Sequence, residues 1–466
     1  MMQSLRIPYL FYFIFIAFQA NAQEGTLHFM NALPQVVYNN PAFVPRHRFS
    51  LGFPGSSVYA LYSNNGFSYN NVISRIKKDT VTADLPKLYN ALKSKNYIGT
   101  VAQVDLFRLS MRVSARAYFT YNLTVKSYTR VMLPKDVMGV FINGTVPFIN
   151  KTAQLSPEIE SLNYLESAWG LSYAVNKDLT LGLRFKLLKG IANITTEKAT
   201  INLSLDNYYS ITAAANVDLR SSGVFGATQP GFDPLKNWKD YLSNTGYGVD
   251  IGATYRVADR ITFGLSLNDI GRIKWKNDVY GYSLDKNKSS YTFHGLDLNR
   301  MLNGNTTYMQ AQMDTISKRF KLVEGKLKPY TSPLPQRLYF SANYEIKRNL
   351  TFGTLFFMER FRGRMAPAFS TSLNKNFGRK ISASISYTIT NHSSNNFGAG
   401  FSCKIFPSIQ FYLVGDNLLQ APYLLAKKKP LNGYLNSMQY FNLRTGVNFV
   451  FGWYKHQERQ PFKKKG

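Results

Sequence analysis

The chain is poor in cysteine, histidine and acid, and each shortage removes a class of protein. One cysteine, Cys403, stands in 466 residues, so no intramolecular disulfide forms and cysteine usage says nothing about compartment. The five histidines, His28, His47, His294, His392 and His456, are scattered. None falls in a His-Glu-x-x-His helix, no Gly-x-Ser-x-Gly elbow occurs, and no glycine-rich phosphate loop precedes a helix. A hydrolase needs a positioned nucleophile, base and oxyanion donor; with no such pattern, no catalytic, cofactor or metal residues are expected. Past residue 22 there is no apolar run of the about 20 residues that a spanning helix requires. A helical membrane protein is thereby excluded.

Acidic residues number 26 against 56 basic ones, a formal charge of +30. Such an excess suggests a polyanionic partner. Zinc-finger spacing, a basic helix and an aromatic RNA-binding motif are all missing, so nucleic acid is not expected. Anionic lipid and polysaccharide are the better candidates, the alternative being that lysines and arginines decorate loops at a phosphate-rich surface.

The first 22 residues read as a secretory signal: Arg6, an apolar stretch Ile7 to Phe18, and the small-x-small site Ala20-Asn21-Ala22. No cysteine follows, which argues against a lipoprotein. The rest of the chain is dominated by period-two alternation in segments of about ten residues, the mark of strands that cross a membrane in a closed barrel. Phe441, Leu443, Thr445, Val447, Phe449, Phe451 and Trp453 alternate with Asn442, Arg444, Gly446, Asn448 and Gly452, Val450 being the apolar exception on the polar side. The pattern returns at Ile381 to Thr390 and at Gly248 to Val257. Because the polar face is rich in Ser, Thr, Asn and Gly, a barrel fits better than a soluble sandwich. On this parity Val447→Arg should cost about 2–4 kcal/mol and Asn448→Arg, on the lumen side, much less.

Four similar texts, Tyr173 to Gly182, Tyr255 to Gly264, Tyr344 to Gly353 and the looser Leu373 to Ser382, read as strand, tight turn, strand. Between hairpins, residues 130–166, 220–246, 270–336 and 417–438 lose the alternation. Helical spacing suggests short helices over Asp84 to Asn96 and Asn305 to Leu322. The expected fold is all-β, a transmembrane antiparallel barrel of about 14 strands, with 16 possible, short periplasmic turns and long extracellular loops. Its expected parts are a signal at 1–22, an N-terminal periplasmic or plug-like segment at 23–48, the barrel at 49–453 and a basic tail at 454–466.

Parity turns Arg184, Lys186, Arg256, Lys404 and Arg444 toward the lumen, with Asp250 and Glu345 as partners. They read either as an anion-attracting wall or, preferably, as charges paired across a filled interior, since buried charge is tolerated mainly when paired. Asn39, Pro41 and Phe43 read as a plug or docking element, or equally as a turn closing the N-terminal end.

Several segments carry a family resemblance. They are Asn39-Asn-Pro-Ala-Phe43, Gly52-Phe-Pro-Gly55, Asn65-Gly-Phe67, Leu133-Pro-Lys-Asp136 with Asn143-Gly144, Leu181 to Gly190, Ser266 to Trp275, Val414 to Leu418 and Asn442 to Phe449. With them the chain resembles a family of Bacteroidota outer-membrane barrels that has no assigned reaction, similar in architecture to FadL-type and PorV-type barrels. The resemblance implies the outer membrane as location, with outer-membrane lipid and lipopolysaccharide as surroundings. It implies two roles: an accessory barrel of a secretion or surface-assembly system with a periplasmic or secretion-system protein as partner, which is the expectation, or a FadL-like passive transporter of hydrophobic or anionic small molecules. The chain departs from many barrels by running past its last strand through Lys455 to Gly466.

Overall fold

The computed structural model describes residues 25–77, 80–224, 242–284, 289–294, 306–390, 396–416 and 440–453. The signal segment, the stretch 417–438 and the tail 454–466 lie outside them, as do His392 and His456.

Fourteen antiparallel strands close on themselves. The first, β1, runs in two pieces, His47–Gly52 and Ser57–Asn64. There follow β2 (Lys95–Arg112), β3 (Ala117–Pro134), β4 (Glu158–Ala174), β5 (Leu179–Leu205), β6 (Asn244–Ala258) and β7 (Ile261–Trp275). The circle continues with β8 (Gln336–Lys347), β9 (Leu350–Phe361), β10 (Arg364–Phe377), β11 (Ile381–Thr390), β12 (Asn396–Phe406), β13 (Ile409–Gly415) and β14 (Tyr440–Trp453). Both pieces of β1 pair with β14 on one side and β2 on the other, so every barrel strand has two neighbours and no edge is left open. Between the pieces, Phe53 to Ser56 bulge out of register; Gly55 sits at φ 77° and donates to the Asp105 carbonyl.

Burial along the strands is inside out relative to a soluble protein. In β11, Ser382, Ser384, Ser386 and Thr388 are buried while Ile381, Ile385 and Ile389 are exposed. In β14, Val447 is 36% exposed and Asn448 0%. An apolar outer face around a polar interior is stable only in lipid, which makes this a membrane-spanning barrel. No described helix is long and apolar enough to cross a membrane.

The four repeated hairpin texts all turn at the end of the barrel where β1 starts and β14 finishes. That end has six tight turns, at 113–116, 175–178, 259–260, 348–349, 378–380 and 407–408. The opposite end carries the long connections, with two exceptions: Arg362 and Gly363 join β9 to β10 in two residues, both at positive φ, and five residues separate β11 from β12. The expected helices form there as Leu85–Ala91, whose N-cap Asp84 accepts from the Lys87 amide at 3.0 Å, and Thr306–Arg319.

Two stretches read as irregular contain strand. β3 continues to Pro134 and β4 begins at Glu158, so only the middle of 130–166 is a loop, holding the helix Lys135–Asn143. Within 270–336, β7 reaches Trp275 and four short strands follow. The alternation fades there because β5 is 27 residues long, far more than the about 9–11 needed to cross. Its far half leaves the barrel and pairs with Ile211–Ser222, which binds Val279–Leu284 and Ser290–Phe293. This sheet has no lipid on one face and no plug on the other, so neither face needs a pure side-chain type.

Candidate functional site

The lumen is filled by the chain's own beginning. Residues 25–43 enter as a single helical turn, Gly25–His28, continue into a 3-10 helix, Pro34–Tyr38, and reach Phe43 before β1 starts. Leu27, Met30, Leu33 and Val36 are fully buried, each worth about 1.5–3 kcal/mol in removed apolar surface. Leu27, Met30 and Leu33 pack on Tyr412 and Val414 of β13.

Polar contacts tie this plug to strands on every side. Asp416 accepts from the amides of Gly25 and Thr26 at 3.2 and 3.3 Å, satisfying the open N-terminus of the first turn. Gln35 donates to Asn448 at 2.7 Å, Tyr38 to Asp105 at 2.6 Å, and Asn40 to the carbonyls of Ala253 and Leu265. Ser172 and Ser266 donate to the carbonyls of Pro41 and Asn39, each at 2.6 Å. Burial and the neighbouring Asp105 carboxylate push the Tyr38 phenol well above its usual range. Glycine is needed where the plug touches the wall: a Cβ on Gly182 would stand 2.2 Å from the Ala42 nitrogen, and one on Gly252 2.2 Å from Asn40 Oδ1.

His28 is the odd member. Its ring stacks on Tyr339 at 5.6 Å and meets Phe29 and Phe43 edge-on at 5.4 and 5.0 Å. Both ring nitrogens are buried without a hydrogen bond among the described residues. Burial alone lowers its pKa from 6.5 to about 3, so at neutral pH it is an uncharged aromatic plate.

One side of the lumen carries a wall of buried charge. Lys186 reaches Asp250 at 2.6 Å and Asp269 at 2.5 Å, Arg184 reaches Asp250 at 3.3 Å, and Lys126 reaches Glu166 at 2.7 Å. Arg337 bridges Asp269 at 3.5 Å and Glu359 at 3.3 Å. Four cations and four anions balance, so the wall has no net charge with which to draw anions through. A separate group on the β1–β2 side holds Arg444, which donates to Ser57 and Gln103 at 3.1 Å, and Arg108, which donates to Asn448 at 2.6 Å. Arg184 and Arg444 meet on the Tyr38 ring, 5.3 and 5.5 Å from its centroid.

Of the seven charges expected in the lumen, Arg184, Lys186 and Asp250 are thus in direct contact, and Arg444 joins them only through the plug. Arg256, Glu345 and Lys404 lie apart, at the turn-end mouth, where they are partly or fully exposed; alternation points them inward, but the strands end before reaching the filled zone. Asn448 needs a correction of another kind. It is fully buried between Gln35, Gln410 and Arg108, so an arginine there has no open lumen to enter.

The wall members not expected are Lys126, Glu166, Asp269, Arg337 and Glu359. Lys126 was visible in the run Thr120, Asn122, Thr124, Lys126, all buried on one face of β3. Asp269 was not: β7 has a bulge in which Asn268 and Asp269 both oppose Asp250, with Asp269 at φ 60° and its amide donating to Asp250 at 2.7 Å. A bulge places consecutive residues on the same side and breaks parity.

Above the plug, toward the long loops, lies a cavity of about 810 Å³ including its solvent-open mouth. Tyr59, Leu61, Tyr128, Tyr339 and Phe361 supply apolar and aromatic wall; Thr129, Ser161, Asn193 and Thr195 supply hydroxyls and amides; Arg130, Arg337 and Arg362 supply charge. Tyr339 therefore forms part of the cup's wall and also stacks against His28 of the plug. Among the described residues no group of acids, histidines and cysteine is placed to hold a metal ion.

The fold and this site define a class: a closed, membrane-spanning β-barrel of the outer-membrane type whose lumen is occluded by its own N-terminal segment, with a cup at the end of the long loops. The chain belongs to the family DUF5723, described as a family of unknown function, which matches residues 41–416. No curated protein matches it in sequence. Among solved structures it is similar to the toluene transporter TodX of Pseudomonas putida, with 10% identity over 90% of this chain and 92% of that one at a TM-score of 0.41. It is also similar to a FadL homologue of Pseudomonas aeruginosa, with 11% identity over 92% and 96% and a TM-score of 0.41.

Proposed function

We propose that this barrel is a gated uptake channel of the outer membrane, taking small molecules with an apolar or aromatic body into the loop-end cup and releasing them when the plug shifts. The observation that carries the reading is the link of cup to plug: an aromatic-lined concavity shares its Tyr339 with a segment, through His28, that is held by hydrogen bonds and side-chain packing with no covalent cross-link to the wall. A constitutive pore is disfavoured by the buried plug. The test is uptake of phenyl glucoside, a neutral aromatic solute that crosses bilayers poorly, into vesicles carrying the full chain. In a Cys403→Ser background, Gln35→Cys and Asn448→Cys joined by a short thiol-thiol crosslinker should stop uptake. Uptake no faster than in empty vesicles, or unaltered by the crosslink, refutes the reading.

An accessory role in secretion or surface assembly is the second reading. It is favoured by the sheet that β5 and Ile211–Ser222 build outside the barrel, polypeptide that a channel does not need. A reproducible co-purifying protein from gently solubilised membranes, lost when this sheet is cut back, would move the assignment to that role.

A further inference from the structure

The cup contains one guanidinium that no carboxylate among the described residues reaches within ion-pair distance. Arg130, on the loop-end half of β3, lines the cavity with its guanidinium 5.0 Å from the Tyr97 ring centroid. Its Nε is buried without a hydrogen bond, and no ion pair reaches it among the described residues. The nearby carboxylates have closer partners: Glu160 shares Arg362 at 3.4 Å with Glu197 at 2.9 Å, Glu359 meets Arg337 at 3.3 Å, and Glu158 meets Arg364, which sits on the same Tyr97 ring at 5.0 Å. Arginine cannot shed its charge in a protein, and Glu160 and Glu359 act on Arg130 only from beyond ion-pair distance, so its guanidinium is open to a closer anion.

The surroundings narrow what that anion is. A guanidinium fork takes a carboxylate in two parallel hydrogen bonds. Tyr59, Tyr128 and Phe361 offer ring faces and edges, while Thr129, Ser161 and Asn193 offer hydroxyl and amide partners around the same space. A long alkyl chain would leave those polar groups without partners, at a cost for each one desolvated. A bare inorganic ion would leave the aromatic wall empty. We infer that Arg130 makes the cup a binding site for a small ring-bearing monocarboxylate, whose ring lies against the tyrosines and whose carboxylate docks on Arg130. This rests on the uptake reading for its purpose, though not for its test.

Binding is measured by titration calorimetry on the full chain in a non-ionic polyoxyethylene detergent at neutral pH. The probes are benzoate and glucuronate, each with a neutral counterpart, benzyl alcohol and methyl glucoside. At least one acid should bind about tenfold or more tightly than its neutral counterpart; which acid does so tells an aromatic acid from a sugar acid. Arg130→Gln should erase that preference, and Arg130→Lys should keep part of it, while both variants still migrate as folded barrels on an unboiled gel. Equal affinity for acid and neutral partner, or a preference that survives Arg130→Gln, overturns the inference. Acid binding without vesicle uptake removes only the channel reading; uptake of phenyl glucoside without any acid preference removes only this one.

Discussion

His28 makes the plug's hold on the barrel depend on acid in a way that can be calculated. In the folded chain its imidazole lies among Phe29, Phe43 and Tyr339 with a pKa near 3, against 6.5 when free. The displaced plug therefore binds a proton that the docked plug refuses, and docking weakens wherever pH lies between those values. The stabilisation is complete above about pH 6.5 and is lost as pH falls toward 3. Linkage gives a loss of roughly 2 kcal/mol between pH 7 and pH 5. Amide hydrogen exchange of residues 26–42, corrected for intrinsic rates, reads the opening free energy of this segment. His28→Phe keeps a ring in the box and removes the titration; it shifts the absolute value through packing, but its pH slope should be nearly flat. Other groups in the barrel titrate as well, so the difference between the two proteins is the measurement. Equal slopes in wild type and His28→Phe would show that the imidazole is solvated or protonated in place, and the reasoning would fail.

Lys186→Met leaves Asp250 and Asp269 without their closest cation and should destabilise the barrel by about 3–5 kcal/mol in urea unfolding; pairing it with Asp250→Asn should recover part of the loss, and strict additivity would contradict the shared contact. Val447→Arg should cost about 2–4 kcal/mol on folding into lipid vesicles. Asn448→Arg should cost at least as much, because it brings a second guanidinium against Arg108 in a filled space; a mild effect would mean that the plug is absent from the lumen there. Gly182→Ala should loosen the plug by about 1–3 kcal/mol through overpacking against Pro41 and Ala42, read as faster exchange of residues 38–43 with little change in the strands. In intact cells carrying Cys403→Ser, a thiol reagent that cannot pass the outer membrane should label Asn207→Cys at the loop end and spare Lys347→Cys at the turn end.

The barrel was legible because lipid enforces strict alternation: a strand such as Ile381 to Thr390 has no other way to present isoleucine outward and serine inward. The tight-turn end was legible for the same reason, since four turns follow nearly one text. The plug was half legible. Asn39, Pro41 and Phe43 stood out as a turn-like cluster, but whether it capped the barrel or entered it depended on lumen width, which no local pattern encodes. The charged wall was legible only where its members sat on regular strands, as Arg184, Lys186 and Asp250 do. Asp269 was hidden by a bulge, and Arg337 by its place at the start of β8, directly after a stretch whose alternation was interrupted by the extra sheet. Arg130 was hidden most deeply, because what distinguishes it is the absence of a partner, a property of three dimensions.

The joining of β1 to β14 also bears on assembly. These are the first and last strands, so the ring can be sealed only when the whole chain is present, a pairing of very large sequence separation and hence slow to form. The plug lies immediately ahead of β1 and its contacts reach nearly around the wall, from Asp105 on β2 to Asn448 on β14. If the seam closes first, residues 25–43 must thread into a finished ring past the turn-end mouth; if the plug gathers the strands first, the seam closes around it. The glycines that receive the plug, among them Gly182 and Gly252, give such a wall little side-chain packing of its own there. In the second order the N-terminal segment is a mandrel on which the sheet is rolled, and the speed of insertion into a bilayer then depends on residues that never touch lipid.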